Sequence, residues 1–227
     1  MIPDLSNWKP CKRPTNAPMN GQYIDIAPWD GDSHASGLWD AFGREDANDL
    51  LFHFGWPQLN DASDLAGILN AANADGSFAT CVFCEKGTGR PLGMANYMSF
   101  APEHGRVETG AIAHGGELNR TRAATEAHYL MARRVFDELG YRRYEWKLNN
   151  PNDPSHAAAR RFGFTFEGVF RQHMVMPYGN RDTAWYSMLD SEWPTIRAAF
   201  EKWLAPENFD AQGNQRKRLQ DIREELS

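Results

Sequence analysis

The chain has 227 residues, 41% of them hydrophobic and 24% charged, which is enough apolar material for one sizeable globular domain. Its net charge of −6 argues against a nucleic-acid partner, and no uncharged apolar run reaches the roughly 18 residues of a membrane helix. With no signal-type apolar stretch in "MIPDLSNWKPCKRPTNAP", the sequence reads as a cytoplasmic protein without a membrane or nucleic-acid partner.

Residues 1–20, rich in Pro and Asn, read as an irregular arm. "GQYIDIAP" is a short strand ended by Pro28, and "SHASGLWDAF" and "DASDLAGILNAANA" are helices with Ser or Asp near their starts. The aromatic-rich "LLFHFGWPQLND" between those helices is a loop that can shape a pocket. "SFATCVFCE", "RPLGMANYMSF" and "RVETGAIAH" are strands separated by hairpin-type Gly and Pro. Cys81 and Cys84 form a C-x-x-C on the first of these. Residues three apart on a strand face opposite sides, so buried structural thiols are expected, and no metal site. No histidine pair has zinc-ligand spacing.

In "LNRTRAATEAHYLMARRVFDELG", residues 118–140, Ala127, Met131, Val135 and Leu139 recur every fourth position with Leu130 beside them, one buried helical stripe stopped by Gly140. "RRYEWKLN" is a strand, "SHAAARRFG" a short helix, and "FTFEGVFRQHMVM" with "RDTAWYSML" a strand pair around "PYGN". "SEWPTIRAAFEKWL" is a helix and "QRKRLQDIREELS" a last, exposed one. This order predicts a single α+β domain over residues 21–190, with a mixed, mainly antiparallel sheet flanked by helices and a helical extension over 191–227.

The helix start at Arg120 and Arg122 runs against the preference for acidic residues in a first turn. Between Leu118 and Arg171 there are ten Lys/Arg against six Asp/Glu, while the remainder is acidic. A strand–loop–helix junction aims unpaired backbone N–H groups at one point, a natural phosphate cradle. Thr121, Ala123, Ala124 and Thr125 are small enough to let an anion reach the backbone, and Arg120 and Arg122 add charge-assisted bonds. Alternatively the two arginines face solvent or pair with nearby acids.

At this point the sequence resembles the GNAT superfamily of acetyl-CoA-dependent N-acetyltransferases, most nearly the ribosomal-protein N-terminal-alanine branch. The likeness spans roughly residues 20–190. The superfamily's Q/R-x-x-G-x-G/A loop falls with Asn119 at its first position, Arg122 at the first glycine and Ala124 at the last small residue. Glu126-Ala127 matches the E-A pair that often follows. "NDPSHAAARRFGFTFEGVFRQ" matches the N-x-x-S…G-F-x-x-E-G-x-x-R-Q pattern.

The resemblance implies acetyl-CoA as donor and a primary amine as acceptor, small or peptidic, with the protein a monomer or homodimer. It implies a carbonyl-polarising N–H in Ala111–Ala113, best at Ile112, and cofactor contacts from residues 119–125. Asn152 orients the pantetheine or makes a turn. Ser155 serves as general acid to the thiolate, or as helix N-cap, or both. The tyrosine many members carry one turn later is replaced by Ala159, and the acid that the alanine branch places two residues after Gln172 is Met174. For the base this leaves Glu108, His173 or a water chain, with Glu167 bridging the final strand pair. Core packing is expected to claim most of Trp39, Phe52, Phe54, Trp56, Tyr97 and Trp146. Phe54, Trp56, Tyr97 and Trp146 are the candidates for the acceptor pocket. The contrasting reading is a non-catalytic acyl-CoA-binding sensor or interaction module.

Overall fold

Period-two alternation of apolar residues builds the sheet, and four-residue spacing builds the helices that cover it. The computed structural model describes residues 4–227. In chain order the elements begin with β1 (Met19–Asn20), β2 (Ile24–Pro28), α1 (Gly31–Ala41), the single turn α2 (Ala47–Leu50) and α3 (Ala62–Ala74). β3 (Phe78–Glu85), β4 (Pro91–Ala101), β5 (Arg106–His114), α4 (Arg122–Arg133) and β6 (Arg143–Asn149) follow. The chain ends with α5 (Asp153–Phe162), β7 (Thr165–Met176), β8 (Gly179–Leu189), α6 (Trp193–Leu204) and α7 (Leu219–Leu226).

The strands form one sheet in the order β1-β2-β3-β4-β5-β6-β8-β7. Neighbours are antiparallel except β5 and β6, which are parallel because α4 carries the chain back across the sheet between them. The α+β reading, with a mainly antiparallel sheet, therefore holds. The arm expected over residues 1–20 lends Met19 and Asn20 to the sheet edge, while its first three residues lie outside the described part.

Each face of the sheet carries its own core. Ala79, Cys81 and Phe83 of β3 face one cluster together with Ala127, Met131 and Val135 of α4 and Ile196 and Phe200 of α6. Val82 and Cys84 face the other, with Leu38 of α1 and Leu65 and Leu69 of α3. The two cysteines thus lie on opposite faces, as their spacing requires. Burial pushes their thiols up to about 12 for Cys81 and about 11 for Cys84. Each large apolar side chain sunk into these clusters contributes about 1.5–3 kcal/mol.

Helix α4 sits against the sheet with Ala124 through Ala132 all buried. Its last turn widens over Arg134–Glu138, which leaves Leu139 only half-buried at the end of the predicted stripe. Glu126 faces the β1–β2 turn, where its carboxylate accepts the backbone N–H groups of Gln22, Tyr23 and Ile24 at 2.8, 2.6 and 3.0 Å. That one side chain ties the first hairpin to the central helix.

The last helix is not the free-standing one its charged composition suggests. Leu219 and Ile222 of α7 are buried beside α6 and α5. Arg223 donates to the carbonyls of Arg160 and Arg161 at 3.1 Å each, serving the open C-terminus of α5. Gly163 closes that helix at φ +97°, and a Cβ there would stand 3.2 Å from Ile196, so both the left-handed turn and the close approach of α6 call for glycine. At the opposite margin β7 is the edge strand, with Phe166, Phe170, Met174 and Val175 exposed along it.

Candidate active site

The parallel pair at the centre of the sheet opens into a cleft. β5 and β6 pair from Arg106 opposite Arg143 to Thr109 opposite Trp146, and their pairing ends there although both strands run on. β5 is pulled away by a bulge against β4: Met94 pairs with Ala113 and Asn96 with Gly110, so that Ala111 and Ile112 together oppose Ala95. Ala111 takes the left-handed conformation at φ +43°.

The fully buried Asn96 fixes that bulge from β4. Its Nδ2 donates to the carbonyls of Ala111 and Gly110 at 3.1 and 3.4 Å, and its Oδ1 accepts from Thr80 Oγ1. Asn73 of α3 completes the chain by donating to Thr80 Oγ1 at 2.8 Å. The network holds a strained, non-glycine backbone that would otherwise relax into the ladder.

Two cavities meet at the cleft. One, of about 550 Å³, lies between the separated strands and the loop after α2. The other, of about 820 Å³, lies over the N-terminus of α4. His114, the last residue of β5, and Asn119 border both, so the two cavities adjoin at these residues.

At the larger cavity Thr121 caps α4. Its Oγ1 accepts the Ala124 N–H at 3.1 Å and donates to the Leu118 carbonyl at 2.7 Å, so one of the helix's free donors is already used. Asn119, Arg120, Thr121, Arg122, Ala124 and Thr125 all border the cavity. Ala123 and Ala113 do not: Ala123 packs against the first core and Ala113 is buried in the second.

Arg122 neither points freely into solvent nor meets an acid. Its guanidinium lies 3.4 Å above the ring centre of Phe209 and 4.8 Å from that of Tyr23, and it donates to the Tyr23 hydroxyl at 3.2 Å. Arg120 stands exposed beside it, its φ of +60° turning the loop into the helix. A third arginine, Arg161 of α5, reaches in to donate to Thr125 Oγ1 at 3.0 Å. Burial lowers the Arg161 guanidinium to about 10. Among the described residues no carboxylate forms an ion pair with any of the three.

At the smaller cavity the helix cap is Asn152, whose Oδ1 accepts the Ser155 N–H at 3.2 Å; Ser155 itself sits inside the first turn and is not the cap. Its hydroxyl oxygen accepts a hydrogen bond from Trp146 Nε1 at 3.0 Å, so the serine's own proton points elsewhere. Ile112, Asn152, Ser155, Trp146, Phe54 and Trp56 line this cavity. Tyr97 does not: on β4 it faces opposite to Asn96, is fully buried under α4, and donates to the Met131 carbonyl at 2.9 Å.

Glu108 borders the cavity but is already engaged. Lys147, its neighbour on β6, donates to Glu108 Oε2 at 2.8 Å and to Glu145 Oε2 at 3.1 Å. Glu145 is 2% exposed and also meets Arg106 and Arg143 at 3.0 and 2.7 Å, while Arg143 goes on to Glu167 of β7 at 2.6 Å. Glu167 accepts from Ser187 of β8 as well, so it bridges the final strands as expected. His173 is bound to Thr183 Oγ1 at 2.9 Å, and Met174 is exposed on the edge strand.

At the neck, His114 Nε2 lies 3.2 Å from His128 Nε2. Burial pushes His114 down to about 4 and His128 well below its ordinary value. The pair is neutral at pH 7, with one ring donating and the other accepting. His53 and Arg181 also border the smaller cavity, and burial together with the Arg181 charge lowers His53. Sequence reasoning missed Arg161, His114, Lys147, His53 and Arg181. Nothing local separates Arg161 from Arg160, and only the assembled sheet brings Lys147 to Glu108.

The family model described as "Acetyltransferase (GNAT) domain" matches residues 26–165. Comparison with curated proteins gives no match. Among solved structures, a GCN5-related N-acetyltransferase from Brucella melitensis is 41% identical, with a TM-score of 0.92 over 97% of this chain and 100% of that one. A GNAT-family acetyltransferase from Chromobacterium violaceum is 36% identical, with a TM-score of 0.79 over 86% of this chain and 96% of that one. The ribosomal-protein-S5-alanine acetyltransferase from Vibrio fischeri is 13% identical and shares the fold, with a TM-score of 0.61 over 78% of this chain and 98% of that one.

Proposed function

Because the chain belongs to the GNAT acetyltransferase family, we propose that it transfers an acetyl group from acetyl-CoA to a primary amine by direct attack of the amine on the thioester. The observation that carries this reading is the line of two adjoining cavities. It runs from the three unpaired arginines, past the bulge at Ala111 and Ile112, to the aromatic chamber of Phe54, Trp56 and Trp146.

The cofactor's phosphates rest on the first turn of α4, held by its backbone N–H groups and by Arg120 and Arg122. The pantetheine lies between β5 and β6, where Asn152 borders it. The backbone N–H of Ile112, one of the two bulge residues opposite Ala95, polarises the thioester carbonyl and stabilises the oxyanion. Glu108 receives the amine proton, directly or through water. As the C–N bond forms and the C–S bond breaks, Ser155 gives its proton to the leaving sulfur and regains one from water, to which Glu108 returns the amine proton. Trp146 orients the serine for that donation by occupying the oxygen from the other side.

Incubating the protein with acetyl-CoA and a panel of amines, with release of free thiol as readout, tests the reaction. Turnover on at least one amine is expected. Binding of acetyl-CoA without turnover on any amine would replace this reading by that of a non-catalytic acyl-CoA module. Within an active enzyme, Ser155→Ala should lower kcat about 100-fold with the KM for acetyl-CoA little changed. The opposite pattern would make Ser155 a cofactor contact.

A further inference from the structure

The C-terminal segment beyond the last strand lies outside the family match, yet it forms one wall of the larger cavity. Trp203 of α6 and Phe209, Gly213, Asn214 and Gln215 of the turn that follows all border it. Both of its aromatic residues meet an arginine of the phosphate end. Phe209 lies flat under the Arg122 guanidinium at 3.4 Å, and the ring of Trp203 is 4.9 Å from the Arg161 guanidinium.

The wall is itself anchored. Trp203 donates its Nε1–H to Gln215 Oε1 at 2.8 Å, fixing the far side of the turn to α6. Phe209 and Gln215 form an isolated bridge that closes the turn. Asp210, the acid closest in sequence to Arg122's partner ring, is occupied by its own turn, accepting the N–H groups of Gln212 and Asn214 at 3.0 and 2.8 Å. Helix α7 then holds α5, and with it Arg161, through Arg223.

The aromatic faces orient two cations without neutralising them. An arginine stacked on a ring keeps the edge of its guanidinium, and the donors on it, free for an oxyanion. A guanidinium withdrawn from water with no carboxylate beside it is costly until an anion arrives.

We propose that the C-terminal segment is a working part of the cofactor site, with Phe209 and Trp203 holding Arg122 and Arg161 in register to bind phosphate oxygens of CoA. Arg161 is a phosphate ligand, and Phe209 is a positioning residue that acts through Arg122. The proposal rests on the acetyl-CoA reading of the two cavities and extends it to residues outside the matched domain.

The test measures CoA and dephospho-CoA affinity by titration calorimetry for wild type, Arg161→Gln, Arg161→Lys and Phe209→Ala, each first checked for an unchanged melting temperature. Arg161→Gln should weaken CoA binding about tenfold or more, as expected for loss of a charge-assisted bond. Arg161→Lys should recover part of that loss, and Phe209→Ala should weaken binding about threefold to tenfold. The preference for acetyl-CoA over acetyl-pantetheine, as a ratio of kcat/KM, should fall in Arg161→Gln and Phe209→Ala alike. If the Arg161→Gln penalty disappears with dephospho-CoA, the residue meets the 3′-phosphate; if it persists, it meets the diphosphate. Wild-type affinity in both Arg161→Gln and Phe209→Ala overturns the proposal and leaves the reaction standing. A wild-type protein that binds no CoA overturns both.

Discussion

Replacing Asn96 by leucine should separate the bulge's contribution to catalysis from its contribution to stability. The two side chains branch alike at Cγ and leucine is the larger, so no cavity is left behind and the change removes hydrogen bonds. It deprives the Ala111 carbonyl of its 3.1 Å donor in a part-buried setting and the Thr80 hydroxyl of its acceptor in a fully buried one. A buried polar group left unpaired costs about 1–3 kcal/mol, so two orphaned groups cost about 2–4 kcal/mol after partial relaxation. For a chain of this length each kcal/mol moves the melting point by about 2–4 °C, which places the expected drop at roughly 5–15 °C.

The kinetic consequence follows from the strained backbone. Ala111 at φ +43° is held only as long as its carbonyl is fixed, and once it relaxes, the Ile112 N–H that follows it changes direction. Removing one oxyanion donor costs about 100- to 1,000-fold in kcat, and a misaimed one at least about tenfold. The thiol-release assay should therefore show kcat down by tenfold or more, with the KM for acetyl-CoA within about threefold because the arginines at the other end are untouched. Ile26→Ala, in β2 and away from the bulge, is the control. It should lose about 2–5 kcal/mol while kcat, measured well below the melting point, stays near wild type. An Asn96→Leu protein with wild-type kcat would refute the role given to the bulge, and one with an unchanged melting point would refute the buried network.

Glu126→Gln should cost about 2–4 kcal/mol in urea unfolding, since three backbone N–H groups now facing a carboxylate would meet an amide that repels at least one of them; unchanged stability would show that the hairpin is anchored elsewhere. Arg122→Glu places an anion where phosphate is expected, and acetyl-CoA affinity should fall tenfold or more; equal affinity would remove Arg122 from the site. The histidine pair predicts a pH dependence of stability. Burial lowers both folded-state values, so below about pH 6.5 the unfolded chain takes up protons that the folded pair refuses, and stability present above that pH is lost as the pH falls toward about 4. The slope should approach about 1.4 kcal/mol per pH unit for each ring that stays neutral. His128→Phe, which keeps an aromatic ring against Phe162, should flatten it; an identical slope in the variant would place the titration elsewhere.

The parts of this fold that were legible in the sequence are those set by local periodicity. The fourfold spacing of Ala127, Met131 and Val135 marked the buried face of α4, and the odd spacing of Cys81 and Cys84 put them in separate cores. Tyr97 was misplaced because alternation says which residues share a face and not which face borders a cavity; its neighbour Asn96 lies on the bulge side. The charged composition of α7 hid Leu219 and Ile222, since two apolar residues three apart are enough to seat a helix of eight residues but too few to stand out. The bulge and the strand separation left a fainter mark: an asparagine in the middle of an apolar strand, where such residues are depleted. What made Asn96 informative was its partner Ala111, fifteen residues away and unreadable without the β4–β5 register.

The basic residues clustered between Leu118 and Arg171 divide into two uses once they are placed. Arg143 is consumed by Glu145 on its own strand, and Lys147 of β6 by Glu108 of β5, which ties the two strands at the point where they part. Arg120, Arg122 and Arg161 find no such partners and border the larger cavity. Three of the ten cations between Leu118 and Arg171 thus gather at one cavity, whereas a nucleic-acid track would spread them along the surface. They sit at one mouth, while at the other end the acids Asp49 and Glu108 are matched by Lys147 and Arg181. An anionic ligand is favoured at the arginine end alone.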